Sequence, residues 1–302
     1  MFLGKSYWHV PQGLGKEFAP GKLSGYFNDL TAKTQWRGPV DERGLPLNEV
    51  GGKRLYFATT LFQKALGHWD LWLASNERNE THRSAFLRIA QWALKTQDEH
   101  GGWPLWPLLG LHYVSRYSAM TQGQGISVLV RAYRTTGDVS YLDAARRALA
   151  PMRVPLDRGG TCRIVPEGCV LEETPSDEYR AILNGWVFAL FGLYDYLLVE
   201  DVDDVRSMLE ETLSALVAYL PKYNAGYWSY YDLSGHLASP FYHQLHIAQL
   251  QALALAFPIY VGVFRTIEER FQWQLRHPVC KIRAVATKAV QKLRNPPEVV
   301  LK

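Results

Sequence analysis

The chain contains little cysteine: only Cys162, Cys169 and Cys280 occur among its 302 residues. Three scattered cysteines are too few for a disulfide framework or a zinc site. Cys162 and Cys169 flank a short hairpin segment with glycine and proline, so they can either pair or stay reduced. We expect no metal and no cofactor.

Long apolar runs are also missing. The best candidate, residues 245–263, is interrupted by Gln249, Gln251 and Pro258, whereas a membrane-spanning helix needs about 20 consecutive, mostly apolar residues. The first residues do not form a charged-then-apolar leader. We therefore expect a soluble, cytoplasmic protein.

Neither sign of charge dominates, but aromatic residues are abundant. The formal net charge of +4 permits a polyanionic partner without requiring one, and we expect no nucleic-acid partner. The chain has 10 Trp and 17 Tyr residues. Because each offers an apolar ring face and a polar edge, these residues suit either a core of large side chains or stacking on sugar rings.

Apolar residues recur at three- and four-residue spacing over most of the chain after residue 53, and this spacing predicts helices. The predicted helices cover residues 54–75, 80–97, 119–135, 139–152, 182–199, 202–220, 243–257, 259–275 and 279–293. The first helices of successive pairs are about 60 residues apart, which indicates a repeated helical hairpin.

This long period predicts a mainly α fold. We expect an α/α toroid, an incomplete barrel of about four helical hairpins, with short β-hairpins. Open arrays of the tetratricopeptide or HEAT type are the alternative, but their repeats are shorter. The expected parts are an irregular segment at 1–53, the toroid at 54–277 and a basic helix and tail at 278–302. In such a ring the N-terminal ends of the inner, first helices should surround one opening.

One predicted helix has two glycines near its start, in the run Gln122-Gly-Gln-Gly125. Each glycine costs roughly 0.5–1 kcal/mol relative to alanine. We interpret the glycines as room for a sugar chain to approach the backbone, and the glutamines as its hydrogen-bond partners.

Three further clusters fall near helix starts: the acidic segment 172–176, the aromatic run 227–233, which we expect to form a short strand, and the pair His243 and His246. Each also has a structural interpretation. Glutamates before a helix favour its macrodipole, an aromatic run packs a hairpin, and two histidines without a third ligand are more often structural than metal-binding.

Four segments carry a family resemblance. They are YSAMTQGQGISVLVRAY (117–133), ILNGWVFALFGLYD (182–195), YYDL (230–233) and YHQLHIAQLQAL (242–253). Together, in this order and spacing, they resemble the catalytic C-terminal region of the D-glucuronyl C5-epimerases of heparan sulfate biosynthesis. We expect no counterpart of the β-rich N-terminal region of the animal members, so the chain resembles a compact, prokaryote-type member.

The resemblance implies an isomerase that inverts C5 of D-glucuronate, or of a related uronate, within a polysaccharide. The C5 proton lies α to a carboxylate, so one group must remove it from one face and another must supply a proton from the opposite face. By position, the family's catalytic residues correspond to Tyr242, Glu173 and Tyr231. Glu173 and Tyr242 would be the acid and the base, in an undetermined order.

The resemblance also implies substrate-binding residues around this pair. Gln122, Gln124 and Asn184 would bind sugar hydroxyls or the carboxylate. Tyr117 and Trp103 would stack on sugar rings.

The chain departs from the family pattern at two positions. Thr174 replaces a tyrosine after the glutamate, and Ser234 replaces a basic residue after YDL. These departures bear on the substrate more than on the reaction class, because other side chains can take over binding. The candidates are Tyr179, Arg116, Arg180 and His246.

Three other functions stay open. A polysaccharide lyase would remove the same C5 proton and then expel the C4 substituent. A glycoside hydrolase needs two carboxylates across a cleft, whereas the acidic residues between 172 and 178 all lie on one side. A non-catalytic glycan-binding protein would account for the departures at Thr174 and Ser234.

The C-terminal segment is basic and amphipathic. One helical face carries the apolar residues Val279, Ile282, Ala286, Ala289, Val290 and Leu293. Such a helix either packs on the domain or contacts an anionic membrane surface. We also expect a homodimer.

Overall fold

Residues 9–294 are described here from a computed structural model, and they are mainly helical. The α-helices are α1 (Ala58–Ala74), α2 (Glu80–Thr96), α3 (Ala119–Thr136), α4 (Val139–Ala148), α5 (Ala150–Arg153), α6 (Leu183–Leu197), α7 (Asp203–Tyr219), α8 (Pro240–Ala256), α9 (Val261–Arg276) and α10 (Pro278–Arg294). The strands β1 (Asn48–Val50) and β2 (Lys53–Leu55) form one antiparallel hairpin, and β3 (Cys162–Val165) and β4 (Gly168–Leu171) form another. The predicted mainly α class with short β-hairpins is confirmed.

The first predicted helix begins later than its apolar pattern suggested. Leu55 pairs with Asn48 across the first hairpin. Gly51 and Gly52 make the turn with φ values of 54° and 79°, a conformation that glycine adopts without steric cost. The helix therefore starts at Ala58, and the boundary predicted at residue 54 is wrong.

Two further elements differ from the prediction. The helix expected at 139–152 divides into α4 and α5, and Pro151, which has no backbone N–H to continue the ladder, lies at the start of the second piece. The aromatic run 227–233 does not form a strand; it makes isolated bridges, such as the one between Tyr230 and Leu237.

The helices pack in pairs, as the period predicts. The pairs are α1 with α2, α3 with α4, α6 with α7 and α8 with α9. The first helices also pack on one another, because α3 contacts both α1 and α6, and α6 contacts α8. Four helical hairpins are thus joined through their first helices.

Glycines bring α3 and α6 unusually close together. A Cβ atom on Gly123 would lie 2.6 Å from the Cα of Ala189, and a side chain on Gly192 would overlap the Gly123 backbone. On the other side of α3, Gly125 leaves room for the ring of Trp103. The prediction that these glycines admit a sugar chain is therefore wrong: they admit a helix and a core indole.

The irregular N-terminal segment packs on the same core. Tyr26, Phe27 and Leu30 are fully buried. The buried guanidinium of Arg131 pairs with Asp195 at 2.5 Å and donates to the Gly25 carbonyl at 3.3 Å. Interior charges need such complete pairing, so this ion pair ties the segment to α3 and α6.

Two features bear on the cysteine and membrane expectations. Cys162 and Cys169, on β3 and β4, are joined as a disulfide, and their Cα atoms are 6.0 Å apart.

Within residues 9–294, no single helix is both long and apolar enough to cross a membrane. The helices Pro240–Ala256 and Pro258–Arg276, bent by 118° to one another, reach that length and composition only as a pair.

Candidate active site

The N-terminal ends of four helices line one cavity of about 190 Å³. Each first helix contributes its second residue: Thr59 from α1, Met120 from α3, Asn184 from α6 and Phe241 from α8. The other lining residues are Gln12, Phe57, Gln63, Leu105, Trp106, Leu109, Ser118, Glu173, Phe188, Tyr242 and Leu245. The predicted convergence of the helix starts around one opening is confirmed.

This convergence gives the cavity an electrostatic character. A helix carries a partial positive charge at its N-terminus, where backbone N–H groups lack helical partners. The four helices are 15 to 18 residues long, and their positive ends meet here. An anionic group bound in the cavity would be stabilised by all four.

Glu173 is the acidic residue of this cavity. It follows β4, and Asn184 Nδ2 donates to its Oε2 at 3.5 Å. Gly185 makes room for it, since a Cβ atom there would lie 2.5 Å from the Cβ of Glu173. Burial raises the pKa of Glu173 to about 7, and this rise is opposed by Arg180 and increased by Glu172. At neutral pH the carboxyl can therefore both accept and donate a proton.

The neighbouring carboxylate is used differently. Glu172 is buried, accepts from Arg163 Nε at 2.7 Å and accepts from the backbone N–H of Ala181 at 3.2 Å. Its pKa is raised by burial, against the opposing effect of Arg163. These contacts join β3 to the segment before α6, so Glu172 is structural and does not line the cavity.

Tyr242 and Tyr231 lie together beside Glu173. Tyr242 is the third residue of α8 and lines the cavity. Its ring centroid is 4.7 Å from that of Tyr231. Burial, reinforced by the charge of Glu173, raises the pKa of both phenols above their ordinary value. Both are therefore protonated at neutral pH and suited to donate a proton.

The segment that carries Tyr231 is fixed by backbone and ionic contacts. The Tyr231 N–H donates to the His236 carbonyl at 2.6 Å. Asp232 accepts from Arg180 at 3.0 Å and from the Ser234 hydroxyl at 2.8 Å. Arg180 thus lies close enough to affect the pKa of both Glu173 and Tyr231, although its direct partner is Asp232.

Two predicted sugar-binding residues belong to the core. Gln122 is fully buried; its Oε1 accepts from the Trp103 N–H, and its Nε2 donates to the carbonyls of Gly101 and Ala148. The Trp103 indole donates to the Ala93 carbonyl at 3.0 Å. The binding role of Gln122 and the stacking role of Trp103 are corrected accordingly, because all their polar groups are already bonded. Gln124 is likewise fully buried and does not line the cavity.

Three other candidates lie elsewhere. Tyr117 donates to Asp98 at 2.7 Å and lines a separate cavity of about 710 Å³, together with Arg116. Tyr179 packs under the guanidinium of Arg163. His246 bonds through Nδ1 to the Ser229 hydroxyl at 3.0 Å. None of these side chains lines the cavity that holds Glu173.

His243 and His246 are structural, as expected for two histidines without a third metal ligand. His243 bonds to the Ser229 hydroxyl and to the Phe271 carbonyl, and its ring stacks on Trp228 at 3.8 Å. Burial lowers the pKa of His243 to about 4 and that of His246 to about 3. In the described range, 9–294, no three His, Cys, Asp or Glu residues are grouped so as to hold a metal ion.

Sequence reasoning missed four polar residues of the cavity: Gln12, Thr59, Gln63 and Ser118. Gln63 and Gln12 are almost fully buried, and the Oε1 atom of each has no hydrogen-bond partner within residues 9–294. Gln63 could have been found, because it lies one turn into the first helix of the first pair. Gln12 has no such signal, since it comes from the irregular segment.

Comparison with known proteins identifies a family and individual relatives. The family model for the D-glucuronyl C5-epimerase C-terminus matches residues 97–273. A D-glucuronyl C5-epimerase of Caenorhabditis elegans is 31% identical over 203 residues, which cover 59% of this chain and 33% of that protein. An uncharacterized protein of Methanocaldococcus jannaschii is 32% identical over 136 residues, 44% of each chain. The matches thus span less than half the length of these relatives.

Proposed function

The chain belongs to the D-glucuronyl C5-epimerase family, and from this premise we propose that it epimerises D-glucuronate, or a related uronate, at C5 within a polysaccharide. The observation that carries the proposal is the cavity shared by Glu173 and Tyr242, in which the pKa of Glu173 is raised to about 7. A pKa near the working pH is what proton transfer to and from carbon requires of a catalytic acid or base.

In the proposed mechanism, Glu173 removes the C5 proton and Tyr242 supplies a proton to the opposite face. Glu173 is suited to the first step because it is partly ionised at neutral pH. Tyr242 is suited to the second because its raised pKa keeps the phenol protonated. In the reverse reaction the two exchange roles. Tyr231, in ring contact with Tyr242, orients its hydroxyl.

Charge builds on the substrate carboxylate once the C5 proton leaves. The converging helix N-termini favour that charge. Asn184 also lines the cavity and supplies a side-chain amide for hydrogen bonding. Arg180 adds a positive field, as its effect on the pKa of Glu173 indicates. Together they offer a carboxylate clamp that needs no basic residue at Ser234.

The cavity favours one sugar residue over a longer stretch of polymer. Its volume of about 190 Å³ is below the roughly 300–1,000 Å³ of typical small-molecule pockets. A polysaccharide would therefore insert a single uronate and leave the flanking sugars outside. Because the clamp is modest, a non-sulfated uronate polymer is the proposed substrate class.

The test is C5 exchange in deuterated water, with several non-sulfated uronate polymers. The proposal expects deuterium at C5 and unchanged chain length. An unsaturated, UV-absorbing chain end would instead identify a lyase. New reducing ends would identify a hydrolase, which is disfavoured because Glu173 is the sole carboxylate among the described lining residues. Binding without exchange would identify a glycan-binding protein.

A further inference from the structure

The C-terminal helix α10 has two distinct faces. Its inner face packs on the domain through Cys280 and Ala284, which are buried, and through Gln291. Gln291 accepts from the Leu237 N–H and donates to the Gly235 carbonyl, both at 3.0 Å. These contacts fix the orientation of α10 and therefore decide which residues face away from the protein.

The outer face of α10 is apolar and exposed. Its large residues are Val279, Ile282, Val285, Val290 and Leu293. Ile282 is 71% exposed and Leu293 85%, although the sequence pattern alone would allow this face to be the packed one. Several large aliphatic side chains grouped on one exposed helix face mark an interaction surface, unlike scattered single ones.

Cations border this outer face on both sides. Lys281 and Lys292 lie about three turns apart along one edge, and Arg283 and Arg294 lie about three turns apart along the other. The α10 sequence contains no Asp or Glu. Long basic side chains beside an apolar strip can extend toward anionic head groups while the strip enters the acyl region.

We propose that α10 binds an anionic membrane surface, lying in the plane of the head groups with its outer face inserted. A second copy of α10 fits less well. Antiparallel pairing of two such helices would bring four cationic edges together with no acidic residue on either helix to offset them. Arg283 already packs over the Tyr227 ring at 3.9 Å, but a neutral protein groove would offer Lys281, Lys292 and Arg294 no anionic partner.

Membrane binding through α10 would also orient the cavity. The inner face of the helix holds the segment of Tyr231: Lys288 lies 6.0 Å from the Tyr231 ring centroid, and Gln291 fixes residues 235 and 237. The segment of Tyr231, whose ring packs on the cavity-lining Tyr242, is therefore attached directly to the proposed membrane contact.

The test is co-sedimentation of the full chain with vesicles of phosphatidylcholine alone or with roughly one-third phosphatidylglycerol. We expect binding to the anionic vesicles only, weakened when salt is raised from about 0.1 M to about 0.5 M. The double variant Ile282→Glu/Leu293→Glu should bind at least about tenfold more weakly. The matched control is Ile164→Glu, because Ile164 lies on β3, away from α10, and is 68% exposed. This variant should bind vesicles as the parent protein does.

Two results would overturn the proposal. One is equal binding of the double variant and the parent, with unchanged circular dichroism. The other is an absence of vesicle binding combined with a dimer, by light scattering, that Ile282→Glu/Leu293→Glu converts to a monomer. The second result would assign the outer face to an interface between copies of the chain. A charge-reversed variant, Lys281→Glu/Lys292→Glu, should lose salt-dependent binding while the helix stays folded.

Discussion

The core around Gln122, near the start of α3, and the cavity at the N-terminal ends of α1 and α6 differ in how they bond a buried amide side chain. In the core, Gln122 Oε1 accepts from the Trp103 N–H, and Nε2 donates to the carbonyls of Gly101 and Ala148. In the cavity, Asn184 Oδ1 and Gln63 Oε1 have no partner among residues 9–294. Leaving a buried polar atom unpaired costs about 1–3 kcal/mol, a cost that a bound sugar would remove.

This contrast separates the most conspicuous motif of the sequence from the residues that we propose to act on the substrate. The run Gln122–Gly125 is the most recognisable segment of the sequence, yet it builds the contact between two helices. Glu173 and Tyr242 come from less recognisable segments, and they share the cavity. Four changes test this division between a packed region and the proposed reactive one.

The largest expected effect belongs to Glu173→Gln. Because glutamine cannot take the C5 proton, we expect C5 deuterium exchange to fall about a thousandfold. The folded state should be retained, since the amide avoids burying a carboxylate. Exchange would be measured by NMR or mass spectrometry, and folding by thermal melting.

Glu172→Gln is the matched control for that change. It breaks the charge-assisted bond to Arg163, so we expect a loss of about 1–3 kcal/mol in the free energy of unfolding and little change in exchange per folded molecule. If Glu172→Gln abolished exchange and Glu173→Gln lowered only the free energy of unfolding, the assignment of the catalytic role to Glu173 and the structural role to Glu172 would be wrong.

The next effect is expected for Tyr242→Phe. Phenylalanine keeps the ring contact with Tyr231 but removes the proton donor, so exchange should fall about a hundredfold with a small change in Tm. Tyr223→Phe is the control: its hydroxyl donates to the Ala181 carbonyl in the interior, so it should lower Tm and spare exchange. Unimpaired exchange in Tyr242→Phe would transfer the acid role to another group.

A third change tests the packed region. Gly123→Ala would place Cβ against the backbone of α6, at 2.7 Å from the Phe188 oxygen. We expect it to lower the free energy of unfolding by about 1–3 kcal/mol. Gly262→Ala, in α9 with nothing within 4 Å of the added atom, should raise it by about 0.5–1 kcal/mol. Urea unfolding measures both, and equal effects would contradict the close α3–α6 approach.

The sequence predicted the helices well because their apolar spacing is local information. The starts of α3 and α6 lie within one residue of their predicted positions. Where side chains point was harder to predict. Gln122 and Trp103 lie in the core, since the direction of a polar or aromatic residue depends on which distant helix covers it.

The cavity was predicted in part. Glu173, Tyr242 and Asn184 do share it, because the repeat brings successive helix starts together. Gln12 could not be predicted, since an irregular segment reaches the site only through long-range packing. The break before α1 was missed because the residues of β2 fit the apolar helical pattern as well as the hairpin.

The smallest expected effect is on pH dependence, and it separates the two roles open to Glu173. If Glu173 is the base, kcat/KM should rise about tenfold between pH 6 and 8, as a carboxyl with a pKa of about 7 ionises. If it is the acid, kcat/KM should fall over that range.

Stability gives an independent check. Burial raises this pKa above its ordinary value of 4.5. The contribution of Glu173 to the free energy of unfolding is therefore fully present below pH 4.5 and is lost as pH rises through 7. In Glu173→Gln that part of the decline should disappear from urea unfolding curves. If the decline persisted unchanged, another group would be responsible for it, and Glu173 would ionise near its ordinary pKa.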